Sequence, residues 1–256
     1  LINSCNMKKL VLAFALFISL VAFSQTPEAL FAKANNLYKN GSYTKAIEQY
    51  LSIEKNGFHS DDLYFNLGNS YYKLNKVAPS IYYYEKALKL NPAHVDVISN
   101  LAFAKRMTID VIEELPKTFL QRFSENVIQK LAFDTWAIFA VIASFLAALF
   151  FLVYYFSSSS KGKLFFFNAS ILGVFVLIIC AFFAFKNYDT IKNTKTAIIF
   201  FEKVTVKNAP TNSSEVVFEL HEGTKVQILD KLDNWMKIKL ADGKIGWISA
   251  SKLKEI

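Results

Sequence analysis

The spacing of apolar and polar positions divides the chain into stretches of different period. Residues 10–23 form one uncharged, largely apolar run behind Met7-Lys8-Lys9. Residues 27–110 carry a helical pattern. In the segment 111–136, Phe119, Leu120, Phe123, Val127, Ile128 and Leu131 recur at three- and four-residue spacing, which is one apolar face of a helix. Polar alternation then disappears over residues 137–156 and again over residues 164–185, neither of which contains a charge. Beyond residue 190 the period shortens to two. Runs at 203–207, 216–220, 225–230, 235–240 and 245–249, bounded by turn residues, predict strands.

The two uncharged runs predict a hairpin that crosses the lipid bilayer. About 20 residues at roughly 1.5 Å rise span a 30 Å hydrocarbon core, and a soluble helix is rarely apolar all round for that length. The stretch 157–163 is polar and too short to be a domain. Trp136, Tyr154, Tyr155 and Tyr188 stand at the ends of the runs, where amphipathic aromatics favour the interface. Asn168 and Ser170 are the polar candidates for bonds across the hairpin. With no ionisable group inside either span, an ion pathway is not expected.

Residues 1–24 read as a secretory signal, with a positive start, an apolar centre and small residues at Ala22 and Ser24. Cys5 lies before the apolar run instead of after it, which argues against a lipoprotein. An uncleaved anchor is the alternative to cleavage, and both export the segment after it. The expected topology is then residues 25–136 outside, a cytoplasmic loop holding Lys161 and Lys163, and residues 190–256 outside; the loop lysines follow the positive-inside rule, while Lys130, Lys186 and Lys192 on the outer side weaken it.

The helical stretch contains a 34-residue internal repeat. In its second copy, 61–94, Tyr64, Leu67, Gly68, Tyr71, Tyr84, Ala87 and Pro92 stand at tetratricopeptide (TPR) signature positions, and the segment resembles a TPR throughout. The first copy, 27–60, keeps Ala34, Gly41, Tyr43, Ala46 and Tyr50 but has Lys33, Ile53 and Phe58 where the pattern expects leucine, a small residue and proline. Such departures suit a terminal repeat. Residues 95–109 begin like a third repeat without a matching second helix, and so predict a capping helix. The apolar helix of 111–136 either lies in the membrane interface or packs on the end of this module.

The C-terminal stretch carries Asn208-Ala209-Pro210, Glu222-Gly223-Thr224, Asn234-Trp235, Asp242-Gly243 and Gly246-Trp247-Ile248. With these landmarks it resembles a bacterial SH3-like domain, which implies a small barrel often tied to cell-wall or peptide binding. Asp242-Gly243 predicts a type I′ hairpin turn. Trp235 and Trp247 are candidates to line a ligand groove, unless at least one belongs to the core. The expected fold is therefore a multi-domain membrane protein: an all-α TPR module at 25–110, a two-helix transmembrane hairpin and an all-β SH3-like barrel at 190–256.

Composition agrees. The chain is 53% hydrophobic with 25 Phe and a mean hydropathy of +0.26. Its net charge of +8 divides into +1 over residues 25–136, +3 over residues 186–256 and +4 at Lys8, Lys9, Lys161 and Lys163 beside the apolar runs, so no basic face remains for nucleic acid. His59, His94 and His221 are isolated from one another, no metal-ligand spacing occurs, and no P-loop, GxSxG or Rossmann pattern is present. No enzyme activity and no cofactor are expected.

The order of signal, TPRs, hairpin and SH3-like domain resembles the BatE-type family of the Bacteroides aerotolerance operon. That resemblance implies a Gram-negative inner membrane, periplasmic TPR and SH3-like domains, and partners that are membrane proteins with von Willebrand A domains. The expected role is a scaffold, with a TPR groove lined by Phe31, Asn35, Tyr38, Phe65, Asn66, Asn69, Tyr72, Lys73, Asn100 and Phe103. Asn35 and Asn66 match the asparagines of carboxylate-clamp TPRs. The basic positions of that clamp are Phe31, Asp96 and Asn100 here, so a more apolar or internal segment is expected as ligand. The alternative is a sensor or tether that binds peptidoglycan or peptides through the SH3-like domain.

Overall fold

The computed structural model describes residues 26–256; the signal segment at 1–24 lies outside the described residues. The chain divides into two compact units, one ending at His59 and one from Ser60 to Ile256.

The first unit contains the antiparallel pair α1 (Pro27–Lys39) and α2 (Tyr43–Lys55). The Thr26 side chain accepts the Ala29 N–H at 3.3 Å and Pro27 opens the helix, so one orphan donor is capped and another is absent. Gly41, at φ +74°, turns the chain between the helices. Ala34 and Ala46 are fully buried, small where the helices approach.

The second unit repeats this design in α3 (Asp61–Lys73) and α4 (Val77–Leu90), followed by α5 (Val95–Lys105). Gly68 explains the close approach: a Cβ there would stand 2.5 Å from the Tyr84 ring. The Ser80 hydroxyl donates to the Gly68 carbonyl at 3.0 Å across the same contact. His94 caps α5 by accepting the Val97 N–H on Nδ1.

The segment expected to be one amphipathic helix over 111–136 is different. Only α6 (Phe119–Phe123) and the π-helical turn Ser124–Ile128 are helical before Phe133. Pro116 accounts for part of this, because the residue before a proline avoids the helical region. The Thr118–Gln121 capping box then starts α6. Of the two expected placements, α6 does not take the one on the TPR end. Phe123 meets Phe183 ring to ring at 6.2 Å, while Phe119 and Leu120 are about three-quarters exposed.

The hairpin consists of α7 (Phe133–Phe156) and α8 (Ser160–Asn193). Both helices are longer than the apolar runs, and the loop expected over 157–163 shrinks to residues 157–159, because Ser159 caps α8 through the Gly162 N–H. The seam is made of small residues: Ser170 donates to the Ala147 carbonyl at 3.0 Å, and a Cβ on Gly173 would meet the Ala147 Cβ at 2.9 Å. Such residues let membrane helices approach closely. Asn168, the other candidate for the seam, is exposed. Only 11% of each apolar window is buried, so the Phe, Leu, Ile and Val of both outer faces require an apolar solvent. The hairpin is therefore membrane-associated. Asn187, past the apolar run, donates to the Leu131 carbonyl at 2.7 Å, and Trp136 Nε1–H to the Ile128 carbonyl at 2.9 Å, fastening the π-turn to the hairpin.

The C-terminal part is a seven-stranded antiparallel sheet in the order β3-β2-β6-β5-β4-β1-β7. Its strands are β1 (Lys195–Ile199), β2 (Lys203–Lys207), β3 (Val216–His221), β4 (Lys225–Leu232), β5 (Trp235–Lys239), β6 (Ile245–Ser249) and β7 (Leu253–Glu255). Val204, Val206, Leu220, Val226, Met236, Ile238, Ile248 and their neighbours fill its core. The sequence pattern misses β1, which follows α8 after a single residue, and β7, which is three residues long. The turn at Asp242-Gly243 is not type I′. Gly243 has a positive φ of 92° and Asp242 does not. Leu240 N–H bonds to the Lys244 carbonyl and Gly243 N–H to the Leu240 carbonyl, which is a three-residue loop closed by a left-handed glycine.

Candidate partner-binding surfaces

The asparagines expected to face a ligand are partly committed to the fold. In the first unit, the Tyr50 hydroxyl donates to Asn35 Oδ1 at 2.6 Å. In the second, 34 residues on, the Tyr84 hydroxyl donates to Asn69 Oδ1 at 2.7 Å, and Asn100 Nδ2 donates to the same oxygen at 2.8 Å. Burial, with Tyr38 nearby, pushes the Tyr50 hydroxyl well above its ordinary pKa, so it remains a donor. Asn35, Asn69 and Asn100 therefore lock helices together.

The aromatics divide similarly. Phe31 packs on Tyr50 at 5.8 Å and Tyr38 on Tyr43 at 5.3 Å within the first unit. Phe65 lies 5.2 Å from the His94 ring and 6.3 Å from Tyr84. In the second unit, Phe103 is exposed and Asn66 and Tyr72 are half-buried. Lys73, in the last turn of α3, is exposed as well. Lys73 and Phe103 are thus the predicted groove residues presented most openly.

Trp235 and Trp247 are both outside the barrel core. Met236, Ile238 and Ile248 point inward, so strand alternation turns Trp235, Lys237 and Trp247 outward. Lys237 pairs with Trp247, and Trp235 with Ser249, which makes the two indoles diagonal neighbours on one face. Lys207 pairs with Trp247 from the other side, and Lys237 Nζ lies 5.9 Å from the Trp247 ring centre. Both indoles are half-exposed.

A third surface escapes the sequence pattern, in which His221 is an isolated histidine and Asp110 no more than the end of the TPR module. Asp110 Oδ2 accepts the His221 backbone N–H at 2.7 Å and the Thr224 hydroxyl at 2.5 Å. Asp110 Oδ1 lies 2.7 Å from His221 Nδ1. Burial alone would raise the Asp110 carboxyl; the hydrogen bonds from Thr224 and His221 outweigh it and hold the group below its ordinary value. Nearby, Glu85 is 8% exposed and pairs with Lys225 at 2.6 Å and Lys105 at 3.2 Å. Burial would raise Glu85 too, and the two lysines prevail and lower it.

Apolar contacts complete the junction. Tyr82 of α4 meets the Phe200 ring at 5.6 Å, and Lys254 Nζ lies 4.4 Å from the centre of the Tyr82 ring. A Cβ on Gly223, whose φ is +87°, would lie 3.0 Å from Val77 Cγ1 and 3.1 Å from Ile81 Cδ1. The second TPR and the barrel are therefore docked on each other through α4. No spacing signal links residues more than a hundred positions apart, which is why the sequence does not reveal this contact.

Among the described residues, no group of three or more His, Cys, Asp or Glu is placed to hold a metal. Residues 62–94 match the family model described as tetratricopeptide repeat, and residues 202–254 match the one described as bacterial SH3 domain. No curated protein matches the chain. The two matched segments are the α3–α4 helical pair and the body of the barrel, so the chain carries a tetratricopeptide repeat and a bacterial SH3 domain, modules that serve protein–protein interaction or peptidoglycan binding.

Proposed function

We propose that this protein is a non-enzymatic, membrane-anchored scaffold of a Gram-negative envelope. The TPR groove holds a segment of a partner protein, and the hairpin keeps the complex at the inner membrane with both soluble modules in the periplasm. The observation that carries the reading is the docking of α4 on the barrel through Glu85 and Tyr82, with Asp110 beside them. It presents the repeat and the barrel as one platform beside the hairpin. By its resemblance to BatE-type proteins, the partners are membrane proteins with von Willebrand A domains encoded in an aerotolerance operon. Crosslinking in native membranes followed by mass spectrometry tests this. Recovery of such membrane proteins through Lys73 and Phe103 supports the scaffold; crosslinks confined to the barrel and cell wall refute it.

The second reading is a peptidoglycan tether, favoured by the outward pair Trp235 and Trp247 with Lys207 and Lys237 beside them. The full chain in detergent, spun with purified sacculi, should then co-sediment, and Trp247→Ala should abolish co-sedimentation.

A further inference from the structure

Three groups of the barrel converge on a carboxylate that the barrel does not own. The Thr224 side chain is buried, and its hydroxyl, the His221 backbone N–H and the His221 ring all address Asp110. A carboxylate only accepts, so all three barrel groups act as donors. The chain then continues along the barrel. Ile112 packs against the barrel core, and the Leu115 N–H donates to the Ala241 carbonyl at 3.2 Å. The Leu115 side chain touches the barrel only at its edge: Cδ1 lies 3.0 Å from the place of a Gly243 Cβ, and the residue is 55% exposed. The side chains flanking Asp110 face solvent: Ile109 is 68% exposed and Val111 91%.

This is how an extended peptide is held, with alternate side chains seated and the others outside. It is not an added strand, because among the described residues only one backbone-to-backbone hydrogen bond joins residues 111–117 to the barrel. We propose that this surface is a binding site for an extended acidic–aliphatic segment of a partner protein. Its ligand supplies a carboxylate and an aliphatic side chain two residues later, the pattern of Asp110 and Ile112. The chain's own strap fills the site in this state.

A tether makes self-occupancy strong at modest intrinsic affinity, because the effective concentration of a short linked segment is on the order of millimolar. A partner segment therefore enters when strap contacts are weakened or when the partner is itself held nearby. The Thr224 hydroxyl and the His221 N–H, beneath the strap, select against any occupant without an acceptor, since a buried donor left unpaired is costly. The site is distinct from the TPR groove and from the Trp235–Trp247 face, so it stands or falls independently of either functional reading.

The test uses the full chain in detergent and a fluorescent peptide of residues 107–116. The double variant Asp110→Ala with Ile112→Ala should bind this peptide at least tenfold more tightly than the wild type, whose site is filled. The single variant Asp110→Asn, which conserves volume, should show a smaller gain in the same direction and decides the matter if the double variant unfolds. Replacing the peptide's aspartate by alanine, or Thr224→Val in the receiving chain, should remove the gain. Peptide binding no tighter to either variant than to the wild type, or binding indifferent to the peptide's aspartate, would overturn the proposal.

Discussion

Asp110 and His221 are separated by 111 positions, yet the carboxylate of one grips both the backbone N–H and the ring nitrogen of the other. The whole hairpin lies between them in sequence. Two residues in hydrogen-bond contact share one side of a membrane, so α7 and α8 form an even number of crossings. The contact thus excludes a single crossing, on grounds independent of hydropathy.

Topology is the first consequence. Alkaline phosphatase fused after Ile256 should be active in the periplasm, and fused at Ser159 it should be inactive. The opposite pair of activities would reverse the proposed orientation, and equal activity at both sites would remove the hairpin itself.

The Asp110 clasp contributes to stability. Asp110→Ala leaves the Thr224 hydroxyl and the His221 N–H without their acceptor, a cost of about 1–3 kcal/mol. Thermal unfolding of the full chain in detergent should show the loss, with a smaller one for Asp110→Asn. An unchanged midpoint for Asp110→Ala would mean that water replaces the carboxylate without cost.

Acid should open the same junction. Asp110 and Glu85 are both held below their ordinary values of 3.8 and 4.5. A carboxyl depressed in the folded state stabilises it fully above the unfolded value and loses that contribution as pH falls through the lower, folded one. Protection of the His221 amide against hydrogen exchange should therefore hold at about pH 5 and decline below about pH 4. A decline that begins above that range would point to a different group.

Gly68 tolerates no side chain. A Cβ would meet the Tyr84 ring at 2.5 Å, and the Tyr84 hydroxyl is tied to Asn69, so the ring has little freedom to withdraw. Gly68→Ala should cost about 1–3 kcal/mol by overpacking, visible as a lower midpoint by circular dichroism. Full stability in this variant would show that α3 and α4 separate easily.

The groove is best probed away from its structural asparagines. Lys73→Glu with Phe103→Ala alters exposed side chains, and should abolish co-purification of partners while leaving the helical signal and midpoint unchanged. Asn69→Ala should lower the midpoint whatever happens to partners, because it strands the Tyr84 hydroxyl and Asn100 Nδ2. If the double variant retains partners at wild-type level, the principal site is elsewhere.

Much of the architecture is legible in residue order. The 34-residue recurrence, the two uncharged runs and the alternating runs after residue 190 are local signals. The alternating runs express the period by which a strand buries one face, the uncharged runs the length that spans a bilayer, and the recurrence a repeated helix pair. The landmarks at Gly68, Tyr84 and Ala87 work in the same way, as do Glu222-Gly223-Thr224 and Gly246-Trp247-Ile248. The orientation of Trp235 and Trp247 is not legible, because period-two alternation assigns two faces without naming the inner one. The core formed by Met236, Ile238 and Ile248 decides it. The helix expected over 111–136 fails for a related reason. Its apolar spacing is real, but Pro116 interrupts it, and Ile112 packs on the barrel core, beside Asp110, and not on a helix face. The sequence alone therefore determined which modules this protein contains and in what order, since those depend on interactions between neighbours in the chain. Only the tertiary structure decided that Asn35 and Asn69 serve the fold, that α4 docks on the barrel and that Asp110 meets His221, because those depend on distances between residues that no spacing rule connects.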